Sequence, residues 1–439
     1  MERRNFLRGG VLLGSSLVVS ACGGEGTGGG SIGTSPTASP TPSPTPSPTS
    51  NVSGSVIVVG GGMAGATVAK YLKLWGSGLN VTLVERAAQY TSNILSSLVL
   101  TGQRTLSSLE FSYATLASTY GIDVVQGEVT GIDTAAGRVS LASGSTLNAD
   151  KLVLAPGIAF DAVPGLSDPA LMPHAWQAGP QTTALADQLA AMPAGGTVIV
   201  TIPPVPYRCP PGPYERACLL ADWLRVNRPG SKLLVLDANP DIVVERTNFI
   251  NAFTQLYGNI IEYIPSVTID SVDTGTMRLF TSAGPIAGDV INLIPRHRAS
   301  PLITDNGLAN DAAGRFAAVD PLSYTSTAAP RVHVIGDASS TAQPKAGHVA
   351  NQEAKVCADA IIRDFAGEAP DPAPLTTSAC FSTITMSEAS WLHAMFEYND
   401  STGKMQAISS SLGASDGWNS GNFRDMNTWF RSLMADTFA

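Results

Sequence analysis

An α/β fold with two Rossmann-like dinucleotide-binding units and a C-terminal α+β interface domain is predicted by three features of this 439-residue sequence. A buried-strand pattern, Ser55 to Val59, runs directly into Gly60-Gly61-Gly62-Met63-Ala64-Gly65 and then into a helical stretch, Ala66 to Leu74. The strand–turn–helix order recurs from Gly196 to Val200, with a following strand Lys232 to Leu236 that closes on Asp237. A third strand, Arg331 to Ile335, ends in Gly336-Asp337 and leads into a helical stretch from Lys345 to Asp359. Alternating strands and helices of this kind build parallel sheets.

The composition narrows the class. Asp+Glu of 35 against Lys+Arg of 26 gives a net charge of -9, which leaves no electrostatic footprint for nucleic acid. Charged residues make up 14% of the chain, below the roughly 25% usual for soluble domains, and 43 Gly with 30 Pro make it turn-rich. Five cysteines without a C-x-x-C are too scattered for a disulfide framework, a zinc ribbon or a covalent c-type haem, and no metal site is expected.

Residues 1–22 read as an address. Arg3-Arg4-Asn5-Phe6-Leu7-Arg8 is a twin-arginine n-region ahead of a short apolar run, Val11 to Ala21, too short to span a bilayer. Val19-Ser20-Ala21-Cys22-Gly23 resembles a lipoprotein cleavage box, with Cys22 as the diacylglyceryl anchor. Residues 23–54 are Gly-rich and then repeat Thr-Pro-Ser-Pro, a semi-rigid stalk that cannot bury a core. The expectation is an exported protein, periplasmic or at the cell surface, that meets membrane only through Cys22.

The glycine loop has the context that makes it informative. A strand precedes it, a helix follows, and Glu85 closes the next strand twenty residues past Gly65. Gly60 permits the tight turn, Gly62 lets backbone approach a pyrophosphate, and Gly65 lets helix pack on strand. The helix start offers N–H groups and a positive dipole end to phosphate, and Glu85 is placed for a ribose diol. Two further segments narrow the dinucleotide to FAD: Lys151 to Gly157, with Ala155-Pro156-Gly157 at the turn, and Gly336-Asp337, placed for ribityl and pyrophosphate groups. The expected FAD-binding set is Gly60, Gly62, Ala64, Gly65, Glu85, Arg86, Asn93, Ala155, Pro156, Gly157, Gly336, Asp337, Lys345 and Gly347.

The second unit lacks its glycines. Its loop, Ile202 to Glu215, carries six prolines, which remove six N–H donors and fix φ, the opposite of a phosphate cradle. Nicotinamide binding is therefore not expected there. The stiff loop instead mounts a thiol, Cys209, and a carboxylate, Glu215, six residues apart.

With these residues the chain resembles the flavoprotein subunit of flavocytochrome c sulfide dehydrogenase, a relative of sulfide:quinone oxidoreductases with the glutathione-reductase-like FAD/NAD(P)-binding fold. The resemblance spans nearly all of 55–439. It rests on residues 58–72, P-H-A-W-Q-A-G (173–179), P-Y-R-C-P-P-G-P-Y-E-R-A (206–217), D-V-I-N-L-I-P (289–295), V-I-G-D-A (334–338) and D-T-F (436–438), the proline–cysteine loop being the most specific. It implies that hydrosulfide attacks a cysteine disulfide beside the flavin, leaving a persulfide and a thiolate whose electrons pass singly to a c-type cytochrome. That cytochrome is a separate subunit or a soluble cytochrome c, since this chain has no haem motif. Cys209 matches the first redox cysteine, Glu215 the acid–base carboxylate, and Lys345 falls along the flavin.

Two departures follow from the same resemblance. The second redox cysteine is expected directly after Gly-Asp-Ala, where this chain has Ser339; the cysteine that tethers FAD covalently is expected at Asn93, so FAD is expected to be non-covalent. Cys380 is one replacement partner for Cys209, a lone Cys209 another, and a different substrate the third. Cys218 and Cys357 read as helix residues, Cys357 as a small buried hydrophobe, and His174 as structural; His348 sits at the start of the flavin-facing helix. The expected domains are 55–165 with 290–365 for FAD, 180–289 for the second unit and 370–439 at the C-terminus. Two rival functions stay open: a sulfide:quinone oxidoreductase that enters lipid through the apolar tail face of Phe423, Met426, Trp429, Phe430, Leu433 and Met434, and a redox or assembly flavoprotein that has lost the disulfide relay.

Overall fold

The computed structural model describes residues 52–439; the twin-arginine segment, Cys22 and the stalk up to Asn51 lie outside the described residues. The first sheet is parallel in the spatial order Ala329–Val334, Lys151–Leu154, Gly54–Val59, Leu79–Glu85, Asp123–Gln126, with the short Thr325–Ser326 antiparallel at one edge. Register sets Val58 between Leu83 and Val153. Both faces are covered, so the strands are near-continuous Val, Ile and Leu. On one face the helices Met63–Trp75 and Gly347–Ala366 bury Val68, Leu72, Ala354 and Ile361. On the other, Ile57, Leu152 and Val332 pack with Val139, Ile303 and Phe316. The flavin-side helix starts at Gly347 rather than Lys345 and runs on to Ala366.

The second sheet, also parallel, has the order Ile261–Ile264, Lys232–Asp237, Thr197–Ile202, Val290–Asn292. Its last strand corrects the boundary expected at residue 289. Val290 pairs with Val198 and Asn292 with Val200, so the second unit keeps the chain through Asn292. Ile158–Phe160 and His297–Ala299 pair antiparallel where the chain passes between the two units.

The C-terminal domain is a long hairpin, Leu375–Thr383 with Ala389–Asn399, extended by Lys404–Ala407, followed by the helix Ser420–Phe438. Helical spacing puts Met426, Phe430, Leu433, Met434 and Phe438 on one face, and all are buried in the core of the first unit. The tail is clasped there. The Lys70 ammonium donates to the Asp436 carbonyl (2.9 Å), and the Asp436 carboxylate accepts from Tyr71 Oη (2.6 Å), Asn351 Nδ2 (2.8 Å) and Lys355 Nζ (3.0 Å). The apolar tail face thus closes the protein's own core instead of standing free for lipid. Among the described residues no helix is long and apolar enough to cross a membrane.

Candidate active site

One cavity of ≈ 1060 Å³ runs from Glu85 and Arg86, past the glycine loop, to Cys209 and Cys380. Its first half follows from the loop's backbone. Gly60 has φ +100°, and a Cβ there would lie 2.4 Å from the Ala155 carbonyl oxygen; a Cβ on Gly65 would lie 1.7 Å from that of Gly60. No side chain fits at either position. Glu85 is tied to the same loop, Oε2 accepting the Gly61 N–H at 2.6 Å and Oε1 the Ala87 N–H at 3.0 Å.

The residues fit FAD by an independent observation. Asp337 Oδ1 is buried and has no hydrogen-bond partner among the described residues, while its other oxygen lies 3.9 Å from the Arg208 guanidinium. A buried acceptor left unpaired costs about 1–3 kcal/mol, which a ligand hydroxyl at this point would relieve. Of the expected FAD set, Gly60, Gly62, Ala64, Glu85, Arg86, Asn93, Ala155, Pro156, Gly157, Gly336, Asp337 and Gly347 line the cavity. Gly65 lies beneath the loop, in the packing role its spacing implied. Asn93 lines the cavity with Oδ1 accepting the Ala178 N–H at 2.8 Å.

Lys345 is placed differently from expectation. Its ammonium donates to the Asp337 and Ser339 carbonyls (3.0 and 2.6 Å) and lies 3.8 Å over the Phe316 ring, outside the main cavity. Its contribution to the site is main-chain: the Lys345 carbonyl accepts the Cys209 N–H at 2.7 Å, pinning the proline loop to the FAD unit.

At the far end the proline loop delivers its thiol. Cys209 holds φ 58°, a left-handed conformation rare for a residue with a side chain, just before the helix Gly212–Asn227. Gly212 makes room, since a Cβ there would lie 2.9 Å from Cys209 Sγ. Cys380, from the hairpin, lines the same cavity and is close enough to raise the Cys209 thiol further, after burial itself. Both sulfurs are free thiols in this structure. Burial pushes the Cys209 thiol well up and that of Cys380 up to about 12. Glu215 stands beside them, Oε1 accepting from Thr383 Oγ1 (2.8 Å) and the Thr383 N–H (3.2 Å). Burial raises its carboxyl to about 7, against the hydrogen bonds from Thr383. A carboxyl at that value both gives and takes protons near neutrality.

Ser339 stands where the resemblance expects the second redox cysteine and carries no thiol. The turn Gly336–Ala338 carries Ser339 into a bridge with Ala317, and its hydroxyl donates to the Gly336 carbonyl at 2.8 Å, away from the cavity. Of the cysteines, Cys209 and Cys380 line the cavity. Cys218 and Cys357 are fully buried in their helices. His348 lines the cavity and accepts the Ala379 N–H through Nδ1 at 3.0 Å; His174 lines it too, with Nδ1 accepting the Trp176 N–H at 2.9 Å, and burial lowers it to about 3.

Three contributors escaped the sequence reading. Arg216 is buried and donates to the His174 and Ala175 carbonyls and to Asn292 Oδ1, its guanidinium 4.6 Å over Trp176. Arg208 and Thr383 also border the site, as does Trp429 from the tail face. Arg208, next to Cys209, and Arg216, next to Glu215, carried a positional signal; Thr383 carried none.

Family comparisons agree with this geometry. Residues 182–295 match the model described as "Sulfide dehydrogenase [flavocytochrome c] flavoprotein chain, central", residues 372–438 that of "Flavocytochrome c sulphide dehydrogenase, flavin-binding", and residues 54–196 that of "Pyridine nucleotide-disulphide oxidoreductase". Among solved structures, the sulfide:quinone oxidoreductase of Aquifex aeolicus is similar with a TM-score of 0.72 at 16% identity, over 87% of this chain and 91% of that one. A NAD-dependent persulfide reductase from A. fulgidus gives 0.59 at 16% identity, over 87% and 77%. CoADR-RHD of Bacillus anthracis gives 0.57 at 16%, over 88% and 74%. These likenesses show the fold. The family matches make the chain an FAD oxidoreductase with regions that match the central and flavin-binding models of the flavocytochrome c sulfide dehydrogenase flavoprotein.

Proposed function

We propose that this protein oxidises sulfide, or a related reduced sulfur compound, at a Cys209–Cys380 pair and passes the electrons to a separate c-type cytochrome. The observation that carries the reading is the convergence of Cys209, Cys380 and Glu215 at one end of a cavity whose other end fits FAD. Hydrosulfide attacks one sulfur of the oxidised pair. The S–S bond breaks, one cysteine keeps the incoming sulfur as a persulfide, and the other leaves as a thiolate. A second hydrosulfide removes the outer sulfur as disulfane, and the two thiolates give up an electron pair as their bond re-forms. FAD, when bound, is the acceptor of that pair and the relay to one-electron chemistry. Glu215 holds or releases the proton at the sulfurs, and the left-handed backbone at Cys209 aims its thiol into the cavity.

The buried tail face supports a protein acceptor over a lipid-dissolved quinone. Export by the twin-arginine route and anchoring at Cys22 belong to the same proposal. Cys22→Ser should release the protein from the membrane fraction, and an unchanged partition would remove the anchor.

Anaerobic sulfide, added to the FAD-loaded protein while the flavin's visible absorbance is followed, tests the chemistry. Rapid bleaching is expected in the parent and a loss of roughly a hundredfold or more in both Cys209→Ala and Cys380→Ala. Full activity in Cys380→Ala would overturn the pair and leave Cys209 alone. No bleaching in the parent would favour a flavoprotein with another donor.

A further inference from the structure

Glu245 lies outside every motif and yet is, after burial, the first group to act on the second thiol. It precedes the short helix Arg246–Asn251 with φ 48° and ψ 34°, a left-handed backbone without glycine. Such a conformation persists only where its surroundings hold it, and it concentrates at working sites. The surroundings here are the hairpin. Glu245 Oε2 accepts from Ser382 Oγ and Oε1 from Ser390 Oγ, both at 2.7 Å. Ser382 and Ser390 are direct cross-strand partners, so one carboxylate spans both strands. Ser382 lies two residues beyond Cys380, on the same face of its strand. The carboxylate is thereby held alongside the Cys380 side chain. Its neighbour Arg246 is committed to Asp241 at 2.6 Å.

The inference rests on the reading of Cys209 and Cys380 as the redox pair. We propose that Glu245 is an acid–base residue that gives and takes the proton of Cys380, as Glu215 does for Cys209, so that each sulfur has its own carboxyl. When the disulfide opens with Cys380 as the leaving thiolate, the proton on Glu245 passes to that sulfur and leaves a carboxylate. When the bond re-forms, the proton returns to the carboxylate. The charged and polar groups around Cys380 are Glu245 first, then Ser378, Glu215 and, across the cavity, Cys209; around Glu245 they are Ser382, Ser390 and Asn248, with Glu215 near. Burial raises the carboxyl of Glu245 while the hydrogen bonds from Ser382 and Ser390 oppose that rise.

The test reads the thiol and not turnover. FAD-loaded Cys209→Ser protein is alkylated with iodoacetamide across a pH series, and modification of the Cys380 peptide is followed by mass spectrometry. Glu245→Gln removes the negative charge, so alkylation at pH 8 should be faster by roughly three- to tenfold, while Glu245→Asp should stay near the parent. Ser390→Ala, a smaller change, removes one donor to the carboxylate and keeps Glu245 protonated to higher pH. It should move Cys380 the same way by less. A profile unchanged in both Glu245→Gln and Ser390→Ala, with FAD content intact, would overturn the proposal. Failure of sulfide to bleach the parent would instead strike the redox reading, and the thiol profile separates the two.

Discussion

The two Rossmann units put an acid at the same place and treat it in opposite ways. Glu85 ends the second strand of the first unit and Asp237 that of the second. Glu85 borders an open cavity beside a loop of three glycines. Asp237 is fully buried and spent: Oδ2 accepts from Tyr214 Oη (2.7 Å) and Tyr263 Oη (2.9 Å), Oδ1 from the Asn239 N–H and Nδ2, both 2.8 Å. Nothing is left for a ribose diol. One scaffold became a cofactor site and the other a rigid mount, and the loop composition decides which. Glycines open the backbone to phosphate, whereas prolines close it and aim Cys209 at the neighbouring unit's ligand.

Breaking the open unit should have the largest effect. A valine at Gly65 would put its Cβ 1.7 Å from the Gly60 carbonyl and force loop and helix apart. Overpacking of this kind costs about 1–3 kcal/mol, so Gly65→Val should lower the FAD content of purified protein by roughly ten- to a hundredfold. The ratio of flavin to protein absorbance reads this directly. Retention of full FAD would mean that the loop is not the cofactor's cradle.

Removing the carboxyl on the mount comes next. Glu215→Gln should keep FAD and slow sulfide-driven bleaching by roughly a hundredfold. It also alters stability with a fixed sign. The unfolded chain loses this proton near 4.5 and the folded protein holds it to about 7, so across that window the native state binds more protons and stability falls as pH rises. The variant escapes that fall. Urea midpoints compared at pH 5 and pH 8 should therefore diverge in favour of Glu215→Gln by about 1–3 kcal/mol, and parallel curves would mean that the carboxyl is not buried in solution.

What the sequence disclosed follows the same division. The glycine loop, Glu85, Ala155 to Gly157 and Gly336-Asp337 were legible because each works through local backbone geometry that fixed spacing encodes. The proline loop was legible for the same reason, and it located Cys209 and Glu215. The side chain of Lys345 lies outside the main cavity, which the sequence does not show, because which side of a loop faces a cavity depends on what packs behind it, here Phe316. Ser339 was weighed as the lost partner because the resemblance places a cysteine directly after Gly-Asp-Ala; the direction of its hydroxyl, back to the Gly336 carbonyl, is not visible in sequence. Cys380, Thr383 and Glu245 come together only through the hairpin's register against distant segments, and no spacing in the chain announces that meeting.

The smallest expected effect sharpens the comparison most. If Asp237 is silent because its lone pairs are occupied, freeing one should still not create a nucleotide site, since six prolines thin the loop's N–H groups and those of Val205, Arg208 and Cys209 are already bonded. Tyr263→Phe deletes one hydrogen bond to Oδ2 and leaves Tyr214 and Asn239 in place. It should cost about 1 kcal/mol in urea unfolding, with FAD content and sulfide bleaching unchanged. NADH should bleach the flavin in neither parent nor variant. Bleaching by NADH in the variant alone would show that the tyrosine cage, and not the prolines, keeps nicotinamide out. Bleaching in both would mean that the second unit still binds a nucleotide despite its filled acid, and the contrast between the two units would fall.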